Sequence, residues 1–129
     1  KRIDGYIKLR HKIANFYNNE LKDLPITLPW QKPRFYSSYH LYPILIKTEK
    51  NFKSQKQVFN ELRKNKIGVN LHYIPIHRHP YYEDLNFKYG DFPVAEKFHQ
   101  EALSIPIFPT LQEEELDYVV SVLKKVLIK

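Results

Sequence analysis

Apolar residues recur at steps of three and four along the opening stretch: Ile3, Tyr6, Ile7, Ile13, Ala14, Tyr17 and Leu21. That spacing predicts an amphipathic helix over Lys1 to Lys22. Arg10 falls inside the stripe, where its aliphatic stem can still cover apolar surface. Pro25, Pro29 and Pro33 then mark a loop, because proline lacks a donor and restricts the residue before it. Trp30 in this loop is expected to anchor on the core. From Tyr36 to Ile46 the period changes to two, the mark of a strand. Tyr36, Ser38, His40, Tyr42, Ile44 and Ile46 share one face; Tyr39, Leu41, Pro43 and Leu45 share the other. Pro43 cannot donate to a ladder, so an edge or a bulge is expected there.

A polar connection over Lys47 to Lys53 leads to a second helix, Ser54 to Lys66, with Val58, Phe59 and Leu62 inward and Ser54 as N-cap. Gly68 suits a left-handed stop. Val69 to Ile74 reads as the next strand, and 84–91 as a polar turn region. Phe92-Pro93 opens a third helix whose inner face is expected to carry Val94, Ala95, Phe98, Ala102 and Leu103. Pro106 and Pro109 exclude a helix between them, so Ile105 to Pro109 must be extended. Thr110 to Glu113 reads as a capping box. The closing helix, from about Leu111 to Leu127, turns Leu116, Val119, Val120, Leu123, Val126 and Leu127 inward.

The resulting order predicts one α/β or α+β domain, a small antiparallel sheet covered by helices. Composition agrees: 43% of the 129 residues are apolar and 15% aromatic, enough for a core and too rich for a disordered tail. The absence of cysteine excludes a disulfide framework and thiolate chemistry and fits a cytoplasmic protein. No apolar run approaches the roughly 20 residues of a membrane span, and no signal-peptide region opens the chain. The chain also lacks methionine, so a fragment of a longer protein is expected. A net charge of +7 favours anionic partners, although the lysines are scattered rather than clustered.

Polar chemistry concentrates in Gly68 to Tyr82, where three histidines and three tyrosines fall within residues 72–82. His72, His77 and His79 are spaced by five and two across a proline, which matches neither a closed structural zinc site nor a helical histidine pair. A histidine could serve as a general base, with Glu83 or Asp84 to orient it, but no nucleophile is recognisably placed beside it. The interleaving of Tyr, Phe, Lys and Arg invites comparison with single-strand nucleic-acid binders. Most of these aromatics fit core stripes, however, and the glycine-aromatic motif of an RNA-binding sheet is missing. A glycine-rich phosphate loop is absent too.

Several segments resemble the C-terminal small domain of the DegT/DnrJ/StrS sugar aminotransferases. They are the helix bearing Ile7, Arg10, Ile13, Ala14 and Tyr17; Ser38-Tyr-His-Leu-Tyr-Pro-Ile44; Gly68-Val69 followed by His72-Tyr-Ile-Pro-Ile-His77; Pro80-Tyr81-Tyr82; and Ala95-Glu96 with Leu103-Ser-Ile-Pro106 and Pro109. The likeness runs through nearly the whole chain in order. Within the family, the doubled tyrosine and Gly90 to Glu96 are most similar to the branch that aminates a UDP-linked 4-keto-6-deoxy-N-acetylhexosamine in pseudaminic acid biosynthesis. The resemblance implies a fold-type I small domain and a pyridoxal 5'-phosphate enzyme. It implies glutamate as amino donor and a homodimer when full length. It also implies that the cofactor lysine lies in an N-terminal domain absent here, so this chain alone should not transaminate. It assigns substrate contacts to Leu71, His72, Tyr73, Ile74 and His77, and no catalytic or cofactor residue to this chain. His79 departs from the family's frequent glutamine at its position. The alternative reading is a non-catalytic basic domain that binds an anionic ligand or nucleic acid.

Overall fold

The core forms where the two-residue period of one strand meets the stripes of three helices. The computed structural model describes residues 2–47, 49 and 53–128, so much of the polar connection expected at 47–53 lies outside the described residues. The elements are α1 (Arg2–Leu21), β1 (Ile26–Thr27), β2 (Tyr42–Ile46), α2 (Gln55–Lys64), a 3-10 turn (Ile76–Arg78), α3 (Pro80–Glu83), α4 (Pro93–Glu101), β3 (Ala102–Ile105) and α5 (Glu113–Leu127). The sheet is antiparallel in the order β1-β2-β3, with Ile26 opposite Ile46, Ile44 opposite Leu103 and Pro43 opposite Ser104. This is the expected small antiparallel sheet with helices.

Tyr42, Ile44 and Ile46 alternate inward and are wholly buried, as their period requires. They meet Ile13, Ala14, Tyr17 and Leu21 of α1, Val58 and Leu62 of α2, and the expected stripe of α5 together with Val122. Each such aliphatic side chain contributes about 1.5–3 kcal/mol on burial. The Tyr17 hydroxyl donates to the Pro106 carbonyl at 2.8 Å, and the Tyr42 hydroxyl donates to Asn18 Oδ1 at 2.6 Å. Both rings can therefore be buried without an unpaired polar atom.

Several expectations are corrected. The strand expected over 36–46 starts only at Tyr42; β2 is central in the sheet, yet at Pro43 it is an edge, as expected. Proline is tolerated there because β1 reaches only to Thr27, opposite Leu45, and leaves Pro43 unpaired on that side. Trp30 does not anchor the core; it is 78% exposed. Ile3 and Tyr6 are exposed as well, so only the second half of the α1 stripe is buried. Val69 to Ile74 forms no strand; it makes one bridge, between Asn70 and Ser104.

The left-handed residue ending α2 is Lys66, at φ 60, not Gly68. Ile67 N donates to Leu62 O and Lys66 N to Arg63 O, the paired bonds of a Schellman cap. The capping box of the last helix is Gln112 with Glu115, two residues beyond the expected one. The third helix is turned over: Val94, Ala95 and Phe98 face outward, while Glu96 and Glu101 are buried. Ala102 and Leu103 belong to β3.

Candidate functional site

The segment from Asn70 to Arg78 leaves the sheet edge with few backbone bonds of its own, so side chains fix it. Asn70 and Ser104 exchange backbone bonds at 3.1 and 2.9 Å. Two residues on, the His72 ring shares a hydrogen bond with the hydroxyl of buried Ser104. His99, on α4, donates from Nδ1 to the His72 carbonyl at 3.0 Å. His79 Nε2 reaches back to the Ile74 carbonyl at 3.2 Å. The backbone of 70–74 is thus held at both ends while the side chains of Leu71, Tyr73 and Ile74 stay open. Leu71, Tyr73 and Ile74 are 42%, 87% and 55% exposed.

Tyr73 stands at one side of an open trough of about 670 Å³, lined also by Pro75, Phe92, Val94, Phe98 and His99. The outward face of α4 supplies most of its apolar wall. A second cleft, of about 600 Å³, is lined by Asn70 and Ser104 with Gly68, Ile105 and Tyr118.

His77 sits differently from the other four candidates. Its ring is buried, donates from Nε2 to Glu96 Oε1 at 2.7 Å, and packs against Phe92 with centroids 4.8 Å apart. The Gly90 amide donates to both Glu96 oxygens, at 2.8 and 3.0 Å. Desolvation alone pushes the Glu96 carboxyl up; the Gly90 amide and then His77 outweigh it and hold the group below its ordinary range. This carboxylate ties the histidine loop, the 86–92 turn and α4 into one unit. Leu71, Tyr73 and Ile74 thus lie together at the surface, half-buried His72 turns its ring in to Ser104, and His77 supports the loop from within.

Sequence reasoning did not single out Ser104, His99 or Glu96 as supports. Ser104 and Glu96 fall within the motifs quoted for the family likeness, and that was the available signal; His99 carries none. Among the described residues no three His, Cys, Asp or Glu side chains are grouped to hold a metal ion.

Pyridoxal phosphate would need an enclosed lysine amine. No described lysine is buried; Lys47, Lys53 and Lys124 are half-buried, and the last two are paired with Glu61 and Glu20. The described residues do not by themselves form that cofactor's site.

The chain belongs to the DegT/DnrJ/EryC1/StrS aminotransferase family, whose model matches residues 1–124. It is 33% identical over 133 aligned residues to the UDP-4-amino-4,6-dideoxy-N-acetyl-beta-L-altrosamine transaminase of Campylobacter jejuni, covering 100% of this chain and 34% of that protein. Among solved structures, DesV of S. venezuelae in complex with a ketimine intermediate superposes with a TM-score of 0.88 at 26% identity, covering 98% of this chain and 33% of that one. Helicobacter pylori PseC, an aminotransferase involved in the biosynthesis of pseudoaminic acid, gives 0.83 at 28% identity, covering 95% and 33%. The chain spans about a third of the length of the curated relatives it matches. Among the described residues, no helix is long and apolar enough to cross a membrane.

Proposed function

We propose that this chain is the small, substrate-contacting domain of a pyridoxal-phosphate-dependent aminotransferase that acts on a nucleotide-linked keto-sugar. The substrate in this reading is a UDP-linked 4-keto-6-deoxy-N-acetylhexosamine of the pseudaminic acid route, with glutamate as amino donor. The cofactor lysine belongs to a larger preceding domain, and the full-length protein works as a homodimer. The names of the Campylobacter and Helicobacter relatives support the sugar and the chemistry.

One observation carries the role given to this domain: a backbone run pinned by Ser104 and His99 whose side chains at Leu71, Tyr73 and Ile74 are free. Pinned backbone beside open side chains is what a specific binding edge needs, because little ordering remains to be done on binding. When bound, pyridoxal phosphate supplies the electron sink for moving the amino nitrogen. This chain's residues hold the sugar still. The Leu71 to Ile74 edge offers amide and carbonyl groups to sugar hydroxyls, and Tyr73 lays its ring or hydroxyl against the sugar. Buried His77 keeps the loop in place through Glu96.

The test uses the longer protein with its cofactor domain. Tyr73→Ala should raise KM for the UDP-keto-sugar about tenfold, the loss of one good contact, with the absorbance of the bound cofactor unchanged. Unchanged kinetics in a folded variant would remove Tyr73 from the site. Tight, salt-sensitive oligonucleotide binding without amination would favour the non-catalytic alternative.

A further inference from the structure

Between β1 and β2 the chain runs from Leu28 to Leu41 without helix or strand. Loops of this length inside a compact domain are uncommon, and ordered ones are usually functional. Specific bonds hold this one. Gln31 Oε1 accepts from the Ser37 amide at 2.6 Å, and Ser37 Oγ accepts from the Tyr39 amide at 3.1 Å. From α1, Arg10 donates to the Tyr39 and His40 carbonyls at 2.7 and 2.9 Å, and His11 donates to the Ser37 carbonyl at 2.7 Å. Tyr39 is kept at φ 44, a left-handed conformation that a tyrosine adopts only when its surroundings over-determine it.

What this fixed loop presents is unusual. Trp30, Phe35 and Tyr36 are 78%, 56% and 67% exposed. The Tyr36 ring is backed on His11, with centroids 4.1 Å apart and planes 7° from parallel. The Arg34 guanidinium lies 5.5 Å over the Phe35 ring. Lys32 and Arg34 are the charges of the loop, and no Asp or Glu occurs anywhere from Leu24 to Lys47. Aromatic faces with a cationic rim and no carboxylate suit a planar ring attached to an anion.

The cleft beneath them measures about 540 Å³, with Leu41 and Pro43 on its wall. That is ample for a small ligand. Its position matters as much as its size. Pro43 and Asn70 both pair with Ser104, from opposite sides. Pro43 on the cleft wall and Asn70, from which the Leu71 to Ile74 edge starts, are therefore about two strand spacings, or roughly 10 Å, apart. A ribose and a diphosphate bridge a gap of that order.

We propose that Trp30, Phe35 and Tyr36, with Lys32 and Arg34, form a platform that stacks the base and pairs the diphosphate of a nucleoside diphosphate. This rests on the nucleotide-sugar reading above and assigns the non-reacting end of that substrate to this loop. The sugar then lies toward the strand end, and binding at the platform anchors it there.

Trp30 is the only tryptophan in the chain, so its emission reports from inside the platform. UDP added to the 129-residue chain should quench that emission saturably and shield Trp30 from acrylamide. Inorganic pyrophosphate at matched ionic strength should do neither. Tyr36→Leu should weaken UDP about tenfold through lost stacking. Lys32→Gln combined with Arg34→Gln should weaken UDP to a similar degree, about tenfold, while leaving the weaker effect of uridine unchanged. All three substitutions are at exposed positions, and circular dichroism would confirm that each variant folds. Undiminished acrylamide access in the presence of UDP overturns the platform, and so does an equal effect of pyrophosphate. Because the readout needs no turnover, UDP shielding in a full-length protein that aminates no sugar would sink the transaminase reading and leave the platform standing. Amination with no shielding would do the reverse.

Discussion

His77 Nε2 and Glu96 Oε1 lie 2.7 Å apart across 19 residues of sequence, with both side chains almost wholly removed from solvent. A carboxylate in that position persists because the Gly90 amide and the imidazole satisfy it. Its pKa is held below the ordinary value of 4.5, so the ionised form is favoured by folding. The sign follows from linkage: the stabilisation is complete above 4.5 and is lost as pH falls through the lower folded value. Thermal midpoints should therefore fall in that acid window. Glu96→Gln should lower the midpoint at neutral pH, flatten the acid slope and speed amide exchange at Gly90. An acid profile identical to that of the unaltered chain would remove this pair as its source.

Lys66 ends α2 at φ 60, where a side chain costs about 1 kcal/mol relative to glycine. Lys66→Gly should stabilise the chain by up to that amount, measured as a shift of the urea midpoint at constant slope. The gain is reduced by the extra freedom glycine has when unfolded. Gly68, which shows no positive φ, should give no such sensitivity.

At the other end of α2, the Ser54 hydroxyl accepts from the Gln57 amide while the Gln57 side chain accepts from the Ser54 amide. Ser54→Ala should cost about 1 kcal/mol by equilibrium unfolding. Gln57→Ala should cost less, since it removes only the reciprocal half of the box.

Tyr17 is fully buried and donates to the Pro106 carbonyl. Tyr17→Phe should cost about 1–2 kcal/mol, because that carbonyl loses its partner inside the protein. Burial, and then neighbouring Tyr42, push the Tyr17 hydroxyl well above its ordinary value of 10.0. A raised folded value means the stabilisation is complete below 10.0 and is lost as pH climbs beyond it. Alkaline titration followed by circular dichroism should show the loss begin near that pH, and Tyr17→Phe should make it shallower.

The features legible in the sequence were those that depend on local order. The stripes of α2 and α5 follow from a period of three and four, and the burial of Tyr42, Ile44 and Ile46 follows from a period of two. The motif run from Ser38 to Pro109 pointed to the family that now includes this chain. The candidate edge Leu71 to Ile74 was nameable for the same reason, although its supports were not.

What stayed hidden depended on partners distant in sequence. The apolar face of α4 was expected to turn inward, because periodicity identifies a face without saying which way it points. Its orientation is set by Glu96, which finds Gly90 and His77 from the preceding loop. Trp30 was expected to anchor on the core, yet it stands exposed in a loop whose far end is fixed to α1 by Arg10 and His11. The sequence by itself determined the elements, the core stripes and the family likeness, since local propensity and pattern act over a few residues. Only the tertiary structure decided which charges are buried, which rings face outward and what pins the strand end. Those outcomes depend on hydrogen-bond partners such as His77 with Glu96, 19 positions apart, and His72 with Ser104, 32 apart, which no local pattern specifies.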